Sequence, residues 1–228
     1  MKIYIVSHTL ELIEDFKRKH PTLKTKFILV GEHDIQSTDD IIVAKQSENN
    51  IEYRKYLCSY TAWHLISKNG LVEPDEQVAI FEYDVDVLDN DVLVNVLGSV
   101  KIDGTIGFAI QPLNDPIFFN AAPVLLTTVK DVYDIDVVDL LRNRMTNQTT
   151  NFWTSSSNHI MTGKYLNEFV EWYTPIADKI WEETSCAHVH ERSLIVFNEI
   201  KKYQTLFMLN LIEHAELRSH NIKPDTDL

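Results

Sequence analysis

Short β-rich runs alternate with helical patterns through the first half of this chain. The runs KIYIVSH (2–8), KFILVGE (26–32) and QVAIFEY (77–83) have the apolar, β-branched composition of buried strands. Helical spacing occupies 10–21, after the first strand, and 51–68, before the third. Because strands that alternate with helices build layered α/β domains, the sequence predicts an α/β fold with a mainly parallel central sheet.

Weaker patterns extend this alternation along the chain. Asn49 and Asn50 are suited to cap the helix at 51–68, and Gly70 is suited to end it. That helix carries aromatic residues at a spacing more typical of a core than of ligand contacts, namely Tyr53, Tyr56, Tyr60 and Trp63. Residues 113–157 are less regular. We expect further strands at 39–44 and 104–112, a helix at 91–100, and segments that are helical for much of their length at 158–181 and 186–203.

Composition limits the classes of function that the chain can serve. Its 228 residues are 44% apolar, enough for one sizeable core, and its net charge is -13. Such an acidic surface argues against nucleic acid or an anionic membrane as the main partner. No apolar run reaches the ~20 residues of a membrane span. Two distant cysteines and an N-terminus without a leader pattern predict a cytoplasmic protein without disulfides.

The stretch IFEYDVDVL (80–88) places two acids, Asp84 and Asp86, directly after an apolar run. A strand puts residues i and i+2 on one face, so we expect the two carboxylates to point the same way. Ligands of open α/β sheets bind beyond the carboxyl ends of strands, and paired carboxylates suit Mg²⁺ or Mn²⁺. A solvated strand end whose acids cap the next helix is the alternative. No P-loop or G-x-G-x-x-G pattern is present.

Three features occur in a fixed order along the chain: a first strand with a small polar end, alternating α/β units, and an apolar strand that ends in D-x-D. Together they resemble the motifs of GT-A-fold glycosyltransferases. The stretches YTAWHLISKNG (60–70), SNHIMTGKYLNEFVEWYTPI (157–176) and HVHERSLIVFNEI (188–200) are similar to those of small soluble transferases of capsular-polysaccharide clusters and large algal viruses. The acidic EYDVDV differs from the basic sequence that is common at this position in the capsular group.

The resemblance implies a Rossmann-like α/β/α domain over residues 1–220, with a helical C-terminal segment. Its nucleotide-binding half is expected at 1–112 and its sugar and acceptor half at 113–220, with a tail or linker start at 221–228. The implied activity is transfer of a hexose from a UDP-sugar, with GDP as the alternative nucleotide, to a glycan or glycoprotein acceptor. Mn²⁺ or Mg²⁺ is the implied cofactor, and the chain is one possible module of a longer polypeptide.

Site roles follow from the same resemblance. Ser7, His8 and Thr9 would lie near the base and ribose of the donor, as would Glu32 or Asp34. Asp84 would contact the metal or the ribose, Asp86 would hold the metal, and His188 or His190 would complete the metal site. Asn158 and His159 would hold sugar hydroxyls beside Trp153, and Glu191 would position the acceptor hydroxyl or act as a base. Arg54 is a candidate phosphate partner because its guanidinium suits phosphate oxygens.

Each role has a structural alternative. Ser7 to Thr9 or Ser156 and Ser157 would then only cap helices, Arg54 would be solvated, and Glu191 would pair with Arg192. Two other functions also remain open. A hydrophobic strand that ends in D-x-D resembles the motif of haloacid-dehalogenase-type phosphatases, although it lies far from the N-terminus here. A non-catalytic module that binds sugar nucleotides is the third reading.

Overall fold

The computed structural model describes residues 2–54, 57, 59–99, 101–120, 122–182 and 186–214. The predicted tail at 221–228 lies outside these residues. The strands of the described part are β1 (Lys2–Ser7), β2 (Lys26–Leu29), β3 (Ile41–Val43), β4 (Gln77–Glu82), β5 (Val85–Val87), β6 (Gly104–Gly107), β7 (Ile110–Pro112), β8 (Phe152–Thr154), β9 (His159–Thr162), β10 (Gln204–Phe207) and β11 (Ile212–His214). The helices are α1 (Leu10–Lys19), α2 (Ser59–Lys68), α3 (Asn90–Ser99), α4 (Pro116–Asn120), α5 (Ala122–Tyr133), α6 (Val137–Thr146), α7 (Gly163–Ile180) and α8 (Cys186–Lys201).

Seven of these strands form one sheet in the order β10-β6-β9-β4-β1-β2-β3. Strands β4, β1, β2 and β3 run parallel, β10 runs parallel to β6, and β9 runs antiparallel to both of its neighbours. Two small ladders, β5 with β11 and β7 with β8, stand apart from this sheet. The predicted α/β fold with a mainly parallel sheet is therefore confirmed.

Alternation along the central strands fills a hydrophobic core on each face of the sheet. Tyr4 and Val6 of β1 pack on the face covered by α2 and α5 to α8. Ile3 and Ile5 pack on the other face, with apolar side chains of α1 and α3. Because successive strand residues point to opposite faces, the apolar run of β1 serves both cores and produces a three-layer α/β/α arrangement. No helix of the described residues has both the length and the hydropathy that crossing a bilayer requires.

Several predicted boundaries differ from the observed ones. The helix expected at 51–68 begins only at Ser59 within the described residues, and the chain turns at 52–53. The segment that begins at 158 first forms β9, and α7 starts after Thr162, whose side chain accepts a hydrogen bond from the Tyr165 amide. The strand expected at 104–112 is divided into β6 and β7, and the irregular stretch 113–157 contains three helices and β8.

Gly104 begins β6 in a backbone conformation that favours glycine. Its φ is +144°, and an added Cβ would lie 2.0 Å from the carbonyl oxygen of Gln204 on β10. We expect Gly104→Ala to lower the free energy of unfolding by about 2 kcal/mol or more, since both the dihedral strain and the backbone clash oppose it. Urea denaturation followed by circular dichroism measures this loss.

Gly98 provides the matched control for this substitution. It lies in α3, and nothing lies within 4 Å of the position of an added Cβ. Gly98→Ala should raise the free energy of unfolding by about 0.5–1 kcal/mol, the usual gain of alanine over glycine in a helix. Equal effects of the two substitutions would contradict the strain assigned to Gly104.

Candidate functional site at the carboxyl edge of the sheet

The strand order reverses between β1 and β4. Chain order runs from β1 to β2 and β3 on one side, whereas β4 pairs with β1 on the other side. At this switch point, the ring of His8, just after β1, packs edge-on against Tyr83, just after β4, with centroids 4.5 Å apart. Burial and nearby His33 lower the pKa of His8, and Asp84 opposes that shift. His8 and Asp84 therefore lie together where open α/β sheets bind ligands.

Three carboxyl groups meet beside this point. Glu82 ends β4, Asp84 follows it, and Glu191 projects from α8. Burial raises the pKa of Glu82 to about 8, and the charges of Asp84 and Glu191 add to the rise, while a hydrogen bond from Ser59 lowers it. Asp84 and Glu191 thus each lie close enough to Glu82 to act on its ionisation, and the three groups are called here the acidic cluster. All three residues are half-buried, and such a concentration of carboxyl groups is costly and is typical of sites that bind a cation or transfer a proton.

The backbone of Glu82 is held by a side chain that β9 delivers. The β4–β9 ladder ends at the pair Ile80–His159, so Glu82 lies beyond it. Its amide donates instead to Oδ1 of the buried Asn158, with nitrogen and oxygen 2.7 Å apart. The hydroxyl of Ser59, which bonds the Glu82 carboxyl, also shares a hydrogen bond with the Ser157 hydroxyl, with 2.9 Å between the two oxygens. The stretch at 157–158 therefore fixes Glu82 from two sides.

Asp86 has different neighbours from Asp84. It lies in β5, and its carboxylate contacts Lys19 Nζ at 2.9 Å and lies 3.5 Å from Nε2 of His20. The chain turns at 83–84, between the strand that carries Glu82 and the one that carries Asp86. This turn breaks the continuous strand from which a shared direction for Asp84 and Asp86 is expected. The structure instead groups Asp84 with Glu82 and His8.

The residues after β1 partly satisfy one another. Ser7 is buried, and its hydroxyl donates to the carbonyl oxygen of Thr9 at 2.9 Å. The hydroxyl of Thr9 accepts a hydrogen bond from the Leu12 amide and caps α1. The structural alternative for Ser7 and Thr9 is therefore present in the structure, and His8 is the member of this stretch that faces the acidic cluster. Glu32, three residues after β2, forms an ion pair with Lys45.

Arg54 does not lie free for a phosphate. It forms an ion pair with Asp178 of α7, and its Nε donates to the hydroxyl of Tyr53 at 3.1 Å. Its expected role as a phosphate partner would require that pair to open.

His159 lies wholly inside the protein. Its Nδ1 is 2.8 Å from the Thr105 hydroxyl and its Nε2 is 3.0 Å from the carbonyl oxygen of Ser156. Burial lowers the pKa of His159 to about 4, so the ring is neutral near pH 7. Both ring nitrogens are thus used to join β9 to β6 and to the 154–157 stretch, and the ring does not face a ligand. Trp153, the expected sugar platform, is likewise buried, with the Arg192 guanidinium over its ring.

His190 is enclosed by aromatic rings. The centroids of four rings lie within 5.7 Å of its own, those of Tyr60, Trp63, Phe169 and Tyr173. Neither ring nitrogen of His190 has a hydrogen-bond partner among the described residues, and burial lowers its pKa to about 3. Its expected role as a metal ligand does not fit this placement, because the ring is fully buried and aromatic rings, not oxygen atoms, pack around it in the described part of the chain.

The other polar residues of α8 form a chain of contacts. Nδ1 of the exposed His188 lies 3.6 Å from Glu191, and this interaction raises the pKa of His188. Arg192 lies 3.5 Å from the same carboxylate but donates mainly to the carbonyl oxygens of Phe118 and Ile117, at 2.9 and 2.5 Å. Glu191 is therefore oriented by a titratable neighbour on one side and a structural arginine on the other.

Glu82 is the residue of this site that sequence reasoning missed. The sequence offered one signal, because Glu82 stands near the end of the predicted strand 77–83, at the edge where ligands of open α/β sheets bind. Within the described residues, no group of three or more His, Cys, Asp and Glu side chains is arranged to hold a metal ion by itself. Glu82 and Asp84 offer the oxygen ligands that Mg²⁺ and Mn²⁺ prefer.

Comparisons with known proteins support the fold. No family model and no curated sequence matches this chain. The apo structure of WbbM, a bifunctional glycosyltransferase, aligns with a TM-score of 0.64 at 12% identity and covers 94% of this chain. The aligned part is 45% of the WbbM chain, so this chain spans less than half of that protein. The architecture is thus that of a GT-A-like glycosyltransferase fold.

Two structures of LgtC also align, at 9% identity each. One is a galactosyltransferase complex with donor and acceptor sugar analogues. Its alignment covers 91% of this chain and 73% of the LgtC chain, with a TM-score of 0.45. The other is an active-site mutant, which covers 100% of this chain and 80% of its own with a TM-score of 0.46. Scores this low do not establish a common fold.

The buried histidines predict a specific loss of stability in acid. The unfolded chain protonates a histidine near pH 6.5, whereas folded His190 stays neutral down to about pH 3. Below pH 6.5 the unfolded state therefore binds a proton that the folded state does not, and stability falls as pH falls. We expect His190→Phe to remove about 2 kcal/mol of the stability lost between pH 7 and 4.5. Urea denaturation at both pH values measures the difference.

His188→Gln is the control for this measurement, because the exposed His188 has a raised pKa. A raised pKa stabilises the folded state at low pH, so this variant should not reduce the loss in acid. A His190→Phe variant with the same pH dependence as the wild type would contradict the neutral state of His190.

The hydrogen bond from Glu82 to Asn158 predicts a second, local effect. Asn158→Ala leaves the Glu82 amide without its acceptor and should lower the free energy of unfolding by about 1–3 kcal/mol. The exposed Asn114, which accepts a hydrogen bond from Asn151 at 3.1 Å, is the matched control, and Asn114→Ala should cost less than about 0.5 kcal/mol. Thermal and chemical denaturation compare the two. Equal losses would show that Asn158 does not secure the end of β4.

Proposed function

We propose that this chain is a metal-dependent glycosyltransferase that moves a sugar from a nucleoside-diphosphate sugar, with UDP as the expected nucleotide, to a glycan or glycoprotein acceptor. One observation carries the proposal. In a glycosyltransferase fold, the acidic cluster of Glu82, Asp84 and Glu191 lies beside the switch point between β1 and β4. Sugar transfer needs a cation that binds the diphosphate and, close to it, a group that receives the proton of the acceptor hydroxyl. The acidic cluster offers carboxyl groups both to hold the cation and to receive the proton.

The donor would lie across the carboxyl ends of β1, β2 and β4. His8 and Tyr83 present adjacent rings there, and the loop after β2 is anchored by a hydrogen bond of 2.5 Å from the Gly31 amide to Glu52. Glu52 is half-buried there, and burial raises its pKa. We assign the nucleoside to this stretch. Ser7 and Thr9 shape it through the start of α1, and His8 makes the direct contact.

Glu82 and Asp84 would hold the divalent cation. Mg²⁺ and Mn²⁺ are often bound by one or two carboxylates together with substrate phosphates, so two acids suffice when a diphosphate is present. When bound, the cation would stabilise the negative charge of the departing diphosphate. Burial raises the pKa of Glu82, repulsion from Asp84 and Glu191 adds to the rise, and a bound cation would offset that repulsion. We propose Glu82, in place of Asp86, as the partner of Asp84.

Glu191 would act on the acceptor. Its carboxylate faces the cluster, and His188 and Arg192 lie at 3.6 and 3.5 Å from it. A carboxylate held in this way can orient an acceptor hydroxyl and receive its proton, with exposed His188 passing that proton to solvent. Asn158, predicted to bind sugar hydroxyls, would instead position Glu82.

The proposal extends to finer features that the sequence predicts. These are a capsular or viral subgroup, a hexose as the transferred sugar, membership of a longer polypeptide and a cytoplasmic location. The division of the domain at residue 112 is of the same kind. The phosphatase reading gains no support from the fold match, and the non-catalytic module is distinguished by experiment.

The test is release of nucleoside diphosphate from UDP-glucose, UDP-galactose, UDP-N-acetylglucosamine and GDP-mannose in the presence of Mn²⁺. The wild type should release nucleotide from at least one donor and lose this activity with a chelator. Glu82→Gln and Asp84→Asn should each lower the rate by about 100-fold or more, because either change removes a carboxyl group that would hold the cation at the diphosphate. Cleavage of a phosphomonoester would support the phosphatase, and binding without turnover would support the module.

Asp86→Asn serves as the control. Asp86 contacts Lys19 and His20, so its substitution should leave the rate within about threefold and cost at most about 1 kcal/mol of stability. Loss of activity in Asp86→Asn with retention in Glu82→Gln would restore the original assignment of Asp84 and Asp86.

A further inference from the structure

Tyr53 is unusual among the aromatic residues of the described chain, because its ring is 64% exposed. The other aromatic residues described near α2, Tyr60 and Trp63, are fully buried, as expected of core positions. The Tyr53 ring lies edge-on to the half-buried Trp181, just after α7, with centroids 6.4 Å apart. A large aromatic ring is therefore held toward solvent by a second ring.

Polar groups surround this pair of rings. The guanidinium of Arg54 lies 5.3 Å from the centre of the Tyr53 ring and donates to its hydroxyl. The same guanidinium forms an ion pair with half-exposed Asp178. We call Tyr53, Arg54, Asp178 and Trp181 the aromatic patch. It combines a rigid ring face with neighbouring donors and acceptors fixed by mutual contacts.

The aromatic patch lies close to the acidic cluster. Tyr53 is six residues from Ser59, whose hydroxyl bonds the Glu82 carboxyl, so the two Cα atoms are at most about 20 Å apart. Asp178 and Arg54 both influence the pKa of Tyr60, which follows Ser59. The patch therefore lies beside the first turn of α2, within the span of a short oligosaccharide from the proposed site of transfer.

We propose that the aromatic patch is an acceptor subsite that binds a remote unit of a neutral oligosaccharide while its terminal hydroxyl lies at Glu191. This inference rests on the proposed function and adds the class of acceptor. The C–H face of a pyranose stacks on an aromatic ring, and its hydroxyls bond to charged groups at the ring edge. Tyr53 supplies the ring, and Arg54 and Asp178 supply the bonding groups.

Charge indicates a neutral glycan. The chain has a net charge of -13, and the single positive group of the patch, Arg54, is already paired with Asp178. The carboxylate of an acidic sugar would therefore find no free cation among the patch residues. A protein partner is less suitable, because stable protein interfaces bury about 800 Å² on each side around an apolar centre. Exposed charged residues such as Glu182 and Asp178 surround the two rings.

The first test is binding of labelled protein to an array of immobilised oligosaccharides, both neutral and acidic, without donor. The wild type should bind neutral oligosaccharides, Tyr53→Ala should weaken the binding by about tenfold, and Tyr53→Phe should retain it, since the ring and not the hydroxyl stacks. Leu209→Ala, at a 54%-exposed apolar residue between β10 and β11, is the control and should bind like the wild type. No binding by the wild type, a preference for acidic glycans, or unchanged binding by Tyr53→Ala overturns the inference.

The second test separates this inference from the proposed function. Nucleotide release from the four donors is measured with and without the oligosaccharide that binds on the array. Tyr53→Ala should raise the KM for that oligosaccharide about tenfold, with kcat and acceptor-free donor hydrolysis unchanged. Oligosaccharide binding without nucleotide release from any donor would overturn the proposed function alone. Nucleotide release with an unchanged KM in Tyr53→Ala would overturn the acceptor subsite alone.

Discussion

The insertion of one antiparallel strand into a parallel sheet is the constraint on which the site depends. Because β9 runs opposite to β4, the residues that precede it arrive at the carboxyl end of β4 rather than at its amino end. Asn158, which precedes β9, can therefore accept a hydrogen bond from the amide of Glu82. If β9 ran parallel to β4, the last residues of β9 and the start of the next helix would lie there instead. The antiparallel direction of β9 thus allows the loop before it to hold Glu82 in place.

On this side of the sheet, several buried titratable side chains are held in their neutral form rather than paired with an opposite charge. His159 and His190 are held in the neutral form by burial, and the carboxyl of Glu82 tends to keep its proton for the same reason. Arg192 is a buried exception, whose guanidinium donates to the carbonyl oxygens of Phe118 and Ile117, and the ion pair of Lys19 with Asp86 is more exposed. Burying few net charges limits the desolvation cost of a core this rich in polar side chains.

The sequence predicted the fold better than the site. Apolar runs such as that of β4 are governed by local periodicity, and so the α/β class followed from them. β9 was missed because its apolar centre, Ile160 and Met161, is too short to show alternation and continues directly into α7. For the site, the position of the turn after β4 decides which acids share a direction, and single-sequence patterns locate such boundaries poorly. For that reason Asp86 lies apart from Asp84, and Glu82, for which the sequence predicted no role, lies beside Asp84 instead.

The surroundings of Trp63 have a practical consequence. Its indole lies edge-on to the buried imidazoles of His159 and His190, with centroids 5.8 and 4.9 Å apart, and its Nε1 has no hydrogen-bond partner among the described residues. Indole emission shifts with local polarity and is quenched by a protonated imidazole at contact. Among the four tryptophans of the chain, Trp63 is therefore one whose emission, isolated by replacing the other three, would report hydration of the interior without an added label.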